Sequence, residues 1–149
     1  MGNNPKGIKY KFLENIATGD VAFEVYGKDL PDLFSNITRA ICAAMADPKS
    51  VEKKEIRMVK ISTQKIEDLI YDYISEIVYY KDAETLLFPS AEIKIKRVGK
   101  NFRLSAKLFG EKINPQKHKL KEDIKSVTYH NLKAVKTPTG WKSTVILDI

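Results

Sequence analysis

The chain has 149 residues, of which 43% are hydrophobic, enough for one compact domain with a proper core. Lys and Arg number 26 against 19 Asp and Glu, a formal net charge of +7 that favours acidic partners such as RNA, an acidic protein surface or an anionic nucleotide. A lone Cys42 excludes an internal disulfide, no apolar run approaches the roughly 20 residues of a membrane span, and the polar start MGNNPKG lacks a signal peptide's apolar core, so a cytoplasmic protein with no membrane partner is expected.

Residues 1–8 read as a flexible N-terminal extension ahead of a single domain. Its Met-Gly start resembles a myristoylation signal, but Lys6 stands where that signal wants Ser or Thr. A first strand, IKYKFLE, is followed by the stretch NIATGDVAFEVYG. There Val21, Phe23 and Val25 fall on one strand face and Ala22, Glu24 and Tyr26 on the other, with Asp20 just outside the alternation. A Thr-Gly-Asp turn ahead of a strand by itself makes Asp20 a turn-forming carboxylate.

Asp29 then caps a helix with Pro31 in its first turn and Leu30, Leu33, Phe34, Ile37, Ile41 and Met45 at three- and four-residue spacing, ending at ADPKS. The strand EIRMVKIS leads to a second helix, TQKIEDLIYDYISEIVYY. Its apolar face runs unbroken through Ile66, Leu69, Ile70, Tyr73, Ile74, Ile77 and Val78, and its acidic face of Glu67, Asp68, Asp72 and Glu76 reads as solvated surface. AEIKIKRV and FRLSAKLF form a hairpin about the turn VGKNF; KSVTYHNLKAV and, after the turn KTPTGW, the terminal WKSTVILDI are the last strands. This order predicts an α+β domain, two helices packed on a curved, mainly antiparallel sheet, with a closed or nearly closed barrel as one form of it.

Chemical signatures are sparse. The sequence has no phosphate-binding Gly-rich loop, no Cys or His pair at zinc spacing and no nucleophile elbow, which argues against the common enzyme classes. Cys42 falls beside the apolar stripe of the first helix and reads as a small buried thiol; His118 and His130 lack a signature acid-base partner.

Read together, TGDVAFEVYGKDLPDLFSNITRAICAAMADPKSVE, DLIYDYISEIVYYKDAETLLF, HKLKEDIKSVTYHNLKAV and GWKSTVILDI resemble the archease family in order and spacing, from about Tyr10 to Ile149. The sharpest elements are the Asp after a Thr-small pair, the VTYH segment, and a chain that stops one residue after an Asp. Many archeases carry His-Thr-Ala-Asp-x-Gly where this chain has Ala17, Thr18, Gly19, Asp20, Val21 and Ala22, so no role of that His transfers to Ala17. The resemblance implies a non-catalytic accessory role beside the RtcB-type tRNA-splicing RNA ligase, speeding its guanylylation and supporting multiple turnover, with tRNA met through the ligase complex. It also implies a divalent cation, typically calcium, held by Asp20, Asp148 and Ile149.

Elementary chemistry agrees with that carry-over. Asp148 and the main-chain carboxylate of Ile149 crowd the final residues, and if the strand beginning at Asp20 lies beside the last strand, the oxygens form a hard-ion cluster suited to calcium or magnesium. The basic segment NPQKHKLKEDIKSVTYH offers Lys117, His118, Lys125 and His130 as a partner-binding surface, against a plain solvated loop. Two other classes stay open: a basic RNA-binding or chaperone-like modulator of RNA-modifying enzymes, which lacks the aromatic strand motifs of common RNA modules, and a metal-dependent hydrolase, for which no general base is recognisable.

Overall fold

Apolar residues at helical spacing build the layer on which the strands are laid. In the computed structural model, which describes residues 7–14 and 19–149, helix α1 spans Leu30–Met45 and helix α2 spans Ile66–Glu84. The α1 cap is as expected: the Asp29 carboxylate accepts a bond from the Asp32 amide at 2.8 Å, with Pro31 in the first turn. On α2 the expected stripe is buried at Leu69, Ile70, Tyr73, Ile74, Ile77 and Val78, with Ile66 at its start half-buried. A hydrogen bond of 2.6 Å between the Thr38 and Tyr73 hydroxyls joins the two helices and satisfies both groups inside the core.

Strands β1 (Tyr10–Phe12), β2 (Asp20–Gly27), β3 (Glu55–Thr63), β4 (Leu86–Val98), β5 (Asn101–Lys112), β6 (Ser126–Val127), β7 (Lys133–Thr137) and β8 (Gly140–Asp148) make two antiparallel sheets. One runs β1-β2-β8-β6, with β7 also on β8; the other runs β3-β5-β4. Both long helices touch strands of both sheets, α1 against β2 and β4 and α2 against β3 and β6, so the helices form a layer between them. Phe23, Val25, Val145 and Leu147 from one sheet and Leu104, Ala106 and Leu108 from the other join Ile37, Ile41, Ile70 and Ile74 in one hydrophobic cluster.

The α+β class stands, but the single curved sheet is two open ones, and among the described residues the strands do not close into a barrel. A strand buried on one face shows the same alternation whichever neighbour it pairs with, so the pattern reveals strands and not their partners. Three further differences have local causes. β4 begins earlier than AEIKIKRV, at Leu86, and its pairing with β5 shifts between Leu87 and Ser90, around Pro89, which cannot donate to the ladder. The segment KSVTYHNLKAV is split into β6 and β7 by a turn in which Asn131 has φ 56°. Two short helical turns, the 3-10 turn Pro48–Ser50 and helix α3 (Pro115–His118), begin at Asp47 and Asn114 side-chain caps. Most of the expected N-terminal extension and Ala17 lie outside the described residues. No helix among those described is long and apolar enough to cross a membrane.

Candidate metal centre

Asp20 is the first residue of β2 and Asp148 the last of β8, and the antiparallel register sets them directly opposite each other. Gly19, at φ 90°, makes the preceding turn in a conformation that costs little without a Cβ. Its carbonyl accepts the Ile149 amide at 3.0 Å. That bond makes Gly19 and Ile149 a hydrogen-bonded pair, so Asp20 and Asp148 form a non-hydrogen-bonded one, the kind whose Cα atoms approach to about 4.5 Å with side chains closest. Phe23, Val25, Val145 and Leu147 are buried toward the helices; by alternation, both Asp side chains share the other face.

Carboxylates on that face are treated differently. Glu24, two pairs along, is bound by Lys142 at 3.1 Å and by Lys11 at 3.8 Å. Partial burial works to raise its carboxyl, but the bonds from Lys142 and Tyr26 hold it below the usual carboxylate range. Asp20 and Asp148 have no ion pair among the described residues. Asp148 Oδ2 accepts a bond from the Ser126 hydroxyl at 3.0 Å, and its carbonyl accepts one from the Lys125 amide at 2.9 Å. Two like charges directly opposite each other destabilise a strand pair.

Such a donor set, two carboxylates with the Ser126 hydroxyl and a main-chain oxygen of Ile149 nearby, is all hard oxygen and fits calcium or magnesium chemistry. It is a small set. Among the described residues no group of three or more His, Cys, Asp or Glu side chains is placed to hold a metal ion. Calcium takes about six to eight oxygens, so water or a partner's groups would complete its shell. Ser126 carried no signal in the sequence; it resembles any polar residue at the start of a strand.

The second candidate group, Lys117, His118, Lys125 and His130, separates. His118 is fully buried, which corrects its assignment to a partner-facing surface. Its Nδ1 accepts the Asn114 amide at 2.9 Å, which leaves Nε2 to donate to Glu111 at 2.8 Å. Glu111 also accepts bonds from Lys117 and from the Glu52 amide, both at 2.8 Å, and Lys117 bonds Glu52 as well. Foremost the Lys117 bond, then the Glu52 amide, brings the Glu111 carboxyl down to about 2 against the cost of its burial. This cluster fastens α3 to β5; the Asn-Pro start of NPQKH is a helix-capping signal that could have revealed α3, though not the burial of its His. Lys125 and His130 are exposed.

Tyr129 of the VTYH segment lies beyond β6. Its ring stacks on Tyr71 at 4.0 Å and its hydroxyl donates to Asp68 at 3.0 Å, while Glu67 accepts the Ala134 amide. The acidic face of α2, expected to be bare, is therefore partly a docking surface for the chain around β7. Cys42 is buried as expected, and burial pushes its thiol up to about 12, far from the reactive range.

Comparison with known proteins extends over nearly the whole chain. A model of the Archease protein family matches residues 10–149. The protein archease of Pyrococcus abyssi is 36% identical over 133 residues, 89% of this chain and 94% of that protein. Among solved structures, the solution structure of Methanobacterium thermoautotrophicum protein 1598 superposes with a TM-score of 0.82 at 31% identity, covering 94% of this chain and 98% of that one. A Thermotoga maritima crystal structure described as an archease and possible chaperone shares the fold, with a TM-score of 0.58 at 20% identity over 92% of this chain and 97% of that one.

Proposed function

The chain belongs to the archease family, and from that membership we propose that it is a non-catalytic accessory protein of an RtcB-type RNA ligase in the cytoplasm, promoting guanylylation and multiple turnover and meeting tRNA through the ligase complex. The observation that carries the reading is the pairing of Asp20 with Asp148 beside Ile149, the three positions that the family resemblance singles out.

A divalent cation, calcium foremost, belongs at that pair. When bound it supplies positive charge that offsets the two carboxylates. The chain's own part is to hold the oxygens: the β2–β8 register sets the carboxylates opposite, the Ser126 hydroxyl orients Asp148, and the Ile149–Gly19 bond keeps the last residue at the site. These donors fall short of a full calcium shell, so water or groups of the ligase would supply the remaining oxygens.

The test is RNA joining with the ligase limiting. Alone the chain should join no RNA; added to a cognate ligase it should convert a single turnover into many and speed guanylylation, and Asp20→Ala should lose most of that gain. Calorimetry with calcium on the same variants locates the cation. Stimulation that survives in both Asp20→Ala and Asp148→Ala would separate the metal from the function, and no stimulation by the unmodified chain would end the ligase assignment.

A further inference from the structure

The outer face of the β3-β5-β4 sheet carries a charge pattern that the acidic pair does not use. Register places Lys60 of β3, Ser105 of β5 and Lys94 of β4 in one row across the sheet, and Ser62, Arg103 and Lys96 in the next. These side chains alternate with Ile61, Leu104 and Ile95, which turn toward the core, so both rows lie on the side away from the helices. Between them is an open groove of about 470 Å³, lined by those six residues together with Ile61, Leu104 and Ile95 beneath them. The rows are spaced about 6.8 Å apart along the strands.

The charge here is unbalanced. Every charged residue between Glu92 and Glu111 is basic, and Glu92, one row away opposite Lys107, is the nearest acid of this face, Glu111 lying at the far end of β5 in its cluster with Lys117. Elsewhere Lys11, Arg57, Lys81, Lys117 and Lys142 make ion pairs, while other exposed lysines, such as Lys28, Lys49, Lys65 and Lys133, make none among the described residues and lie apart from one another; this face sets four such cations in two adjacent rows. Lys60, Lys94, Lys96 and Arg103 make none among the described residues. Exposed apolar side chains of the face, Ile56 and Met58, lie at its other end.

We propose that this groove binds a single RNA strand directly through its phosphodiester backbone, with Lys60, Lys94, Lys96 and Arg103 neutralising phosphates and the Ser62 and Ser105 hydroxyls donating to their oxygens. Lys, Arg and Ser are the side chains that contact phosphates, whereas the buried centre of a protein interface is depleted of Lys and enriched in aromatics, which this groove lacks. With no ring in the groove to stack on a base, it reads charge and not sequence. The binding requires no ligase, and it uses neither the Lys117–Lys125 segment nor the acidic pair.

Fluorescence anisotropy on the whole chain with labelled oligouridine and oligoadenine tests it. Neutralising about four phosphates predicts a loss of about 50-fold in affinity between about 50 and about 200 mM salt, alike for the two oligomers. The quadruple variant Lys60→Ala, Lys94→Ala, Lys96→Ala and Arg103→Ala should lose at least about tenfold in affinity at low salt and most of the salt slope. Lys28→Ala, Lys49→Ala, Lys65→Ala and Lys133→Ala, an equal charge change at exposed sites elsewhere, should retain both; circular dichroism checks the fold of each. Equal losses in the two quadruple variants would reduce the effect to net charge and overturn the site, as would no loss in the groove variant. A marked preference for one base would overturn backbone recognition. Absence of RNA binding, with poly-glutamate bound and released by the groove variant, would assign the face to an acidic protein.

Discussion

At the scale of single residues, the Asp20–Asp148 pair makes opposite demands on the metal-free and metal-bound chain. Opposed like charges cost a strand pair about 0.2–1 kcal/mol. Asp20→Asn or Asp148→Asn should therefore raise the melting temperature in a chelator, by up to about 2–4 °C. If the proposed cation binds there, calcium should raise the melting temperature of the unmodified chain, and the same variants should lose that rise. Stabilisation by calcium persisting in both variants would place the ion elsewhere. Glu111 makes a pH prediction of opposite chemistry. Its carboxyl titrates at about 2 in the fold against 4.5 ordinarily, so its contribution to stability is complete above pH about 4.5 and is lost as pH falls toward about 2. Denaturant midpoints measured across that window should fall less steeply in Glu111→Gln than in the unmodified chain; parallel curves would mean that the Lys117 and Glu52 bonds leave stability untouched. The two sites differed in legibility. Asp20 by itself read as a turn-forming carboxylate and was singled out by the family resemblance, while His118 looked like one more polar residue in a basic loop, since burial by a partner seven residues away, Glu111, leaves no periodic trace.

At the scale of elements, both helices and nearly every strand were legible because each buries one side and so repeats at 3.6 or 2 residues. What periodicity missed was governed by backbone approach. The residues Leu86, Leu87 and Phe88 are all buried, a run without alternation, and they precede a bulge that presses β4 onto β5. Gly110 is the point of contact: a Cβ there would come within 1.7 Å of the Leu87 carbonyl oxygen. Gly110→Ala forces the strands apart and should cost about 1–3 kcal/mol, read as a lower denaturant midpoint with an unchanged slope. A neutral result would show that the bulge can slide to make room. The division of the strands between two sheets was illegible for a related reason. Pairing partners are chosen by which faces the helices can cover together, a property of no single window of sequence.

At the scale of the whole molecule, the net charge of +7 was plain in the composition, but its placement required the sheets. The helix layer separates the outer face that carries the acidic pair from the outer face that carries the basic rows, so variants at one should leave the other's binding unchanged. Folding should not be separable in the same way. Core residues of both sheets meet the same helices in one cluster, and neither sheet can keep its inner face dry without them. We therefore expect residues 10–149 to unfold as one cooperative domain. Trp141, on β8, gives a fluorescence signal from the five-stranded sheet alone, while Gly110→Ala injures the three-stranded sheet on the far side of the helices. In that variant the Trp141 transition and the far-ultraviolet circular dichroism transition should move together, by the same amount and with coincident midpoints. A Trp141 midpoint that stays at its original value while the dichroism midpoint falls would divide the chain into two folding units joined by the helices.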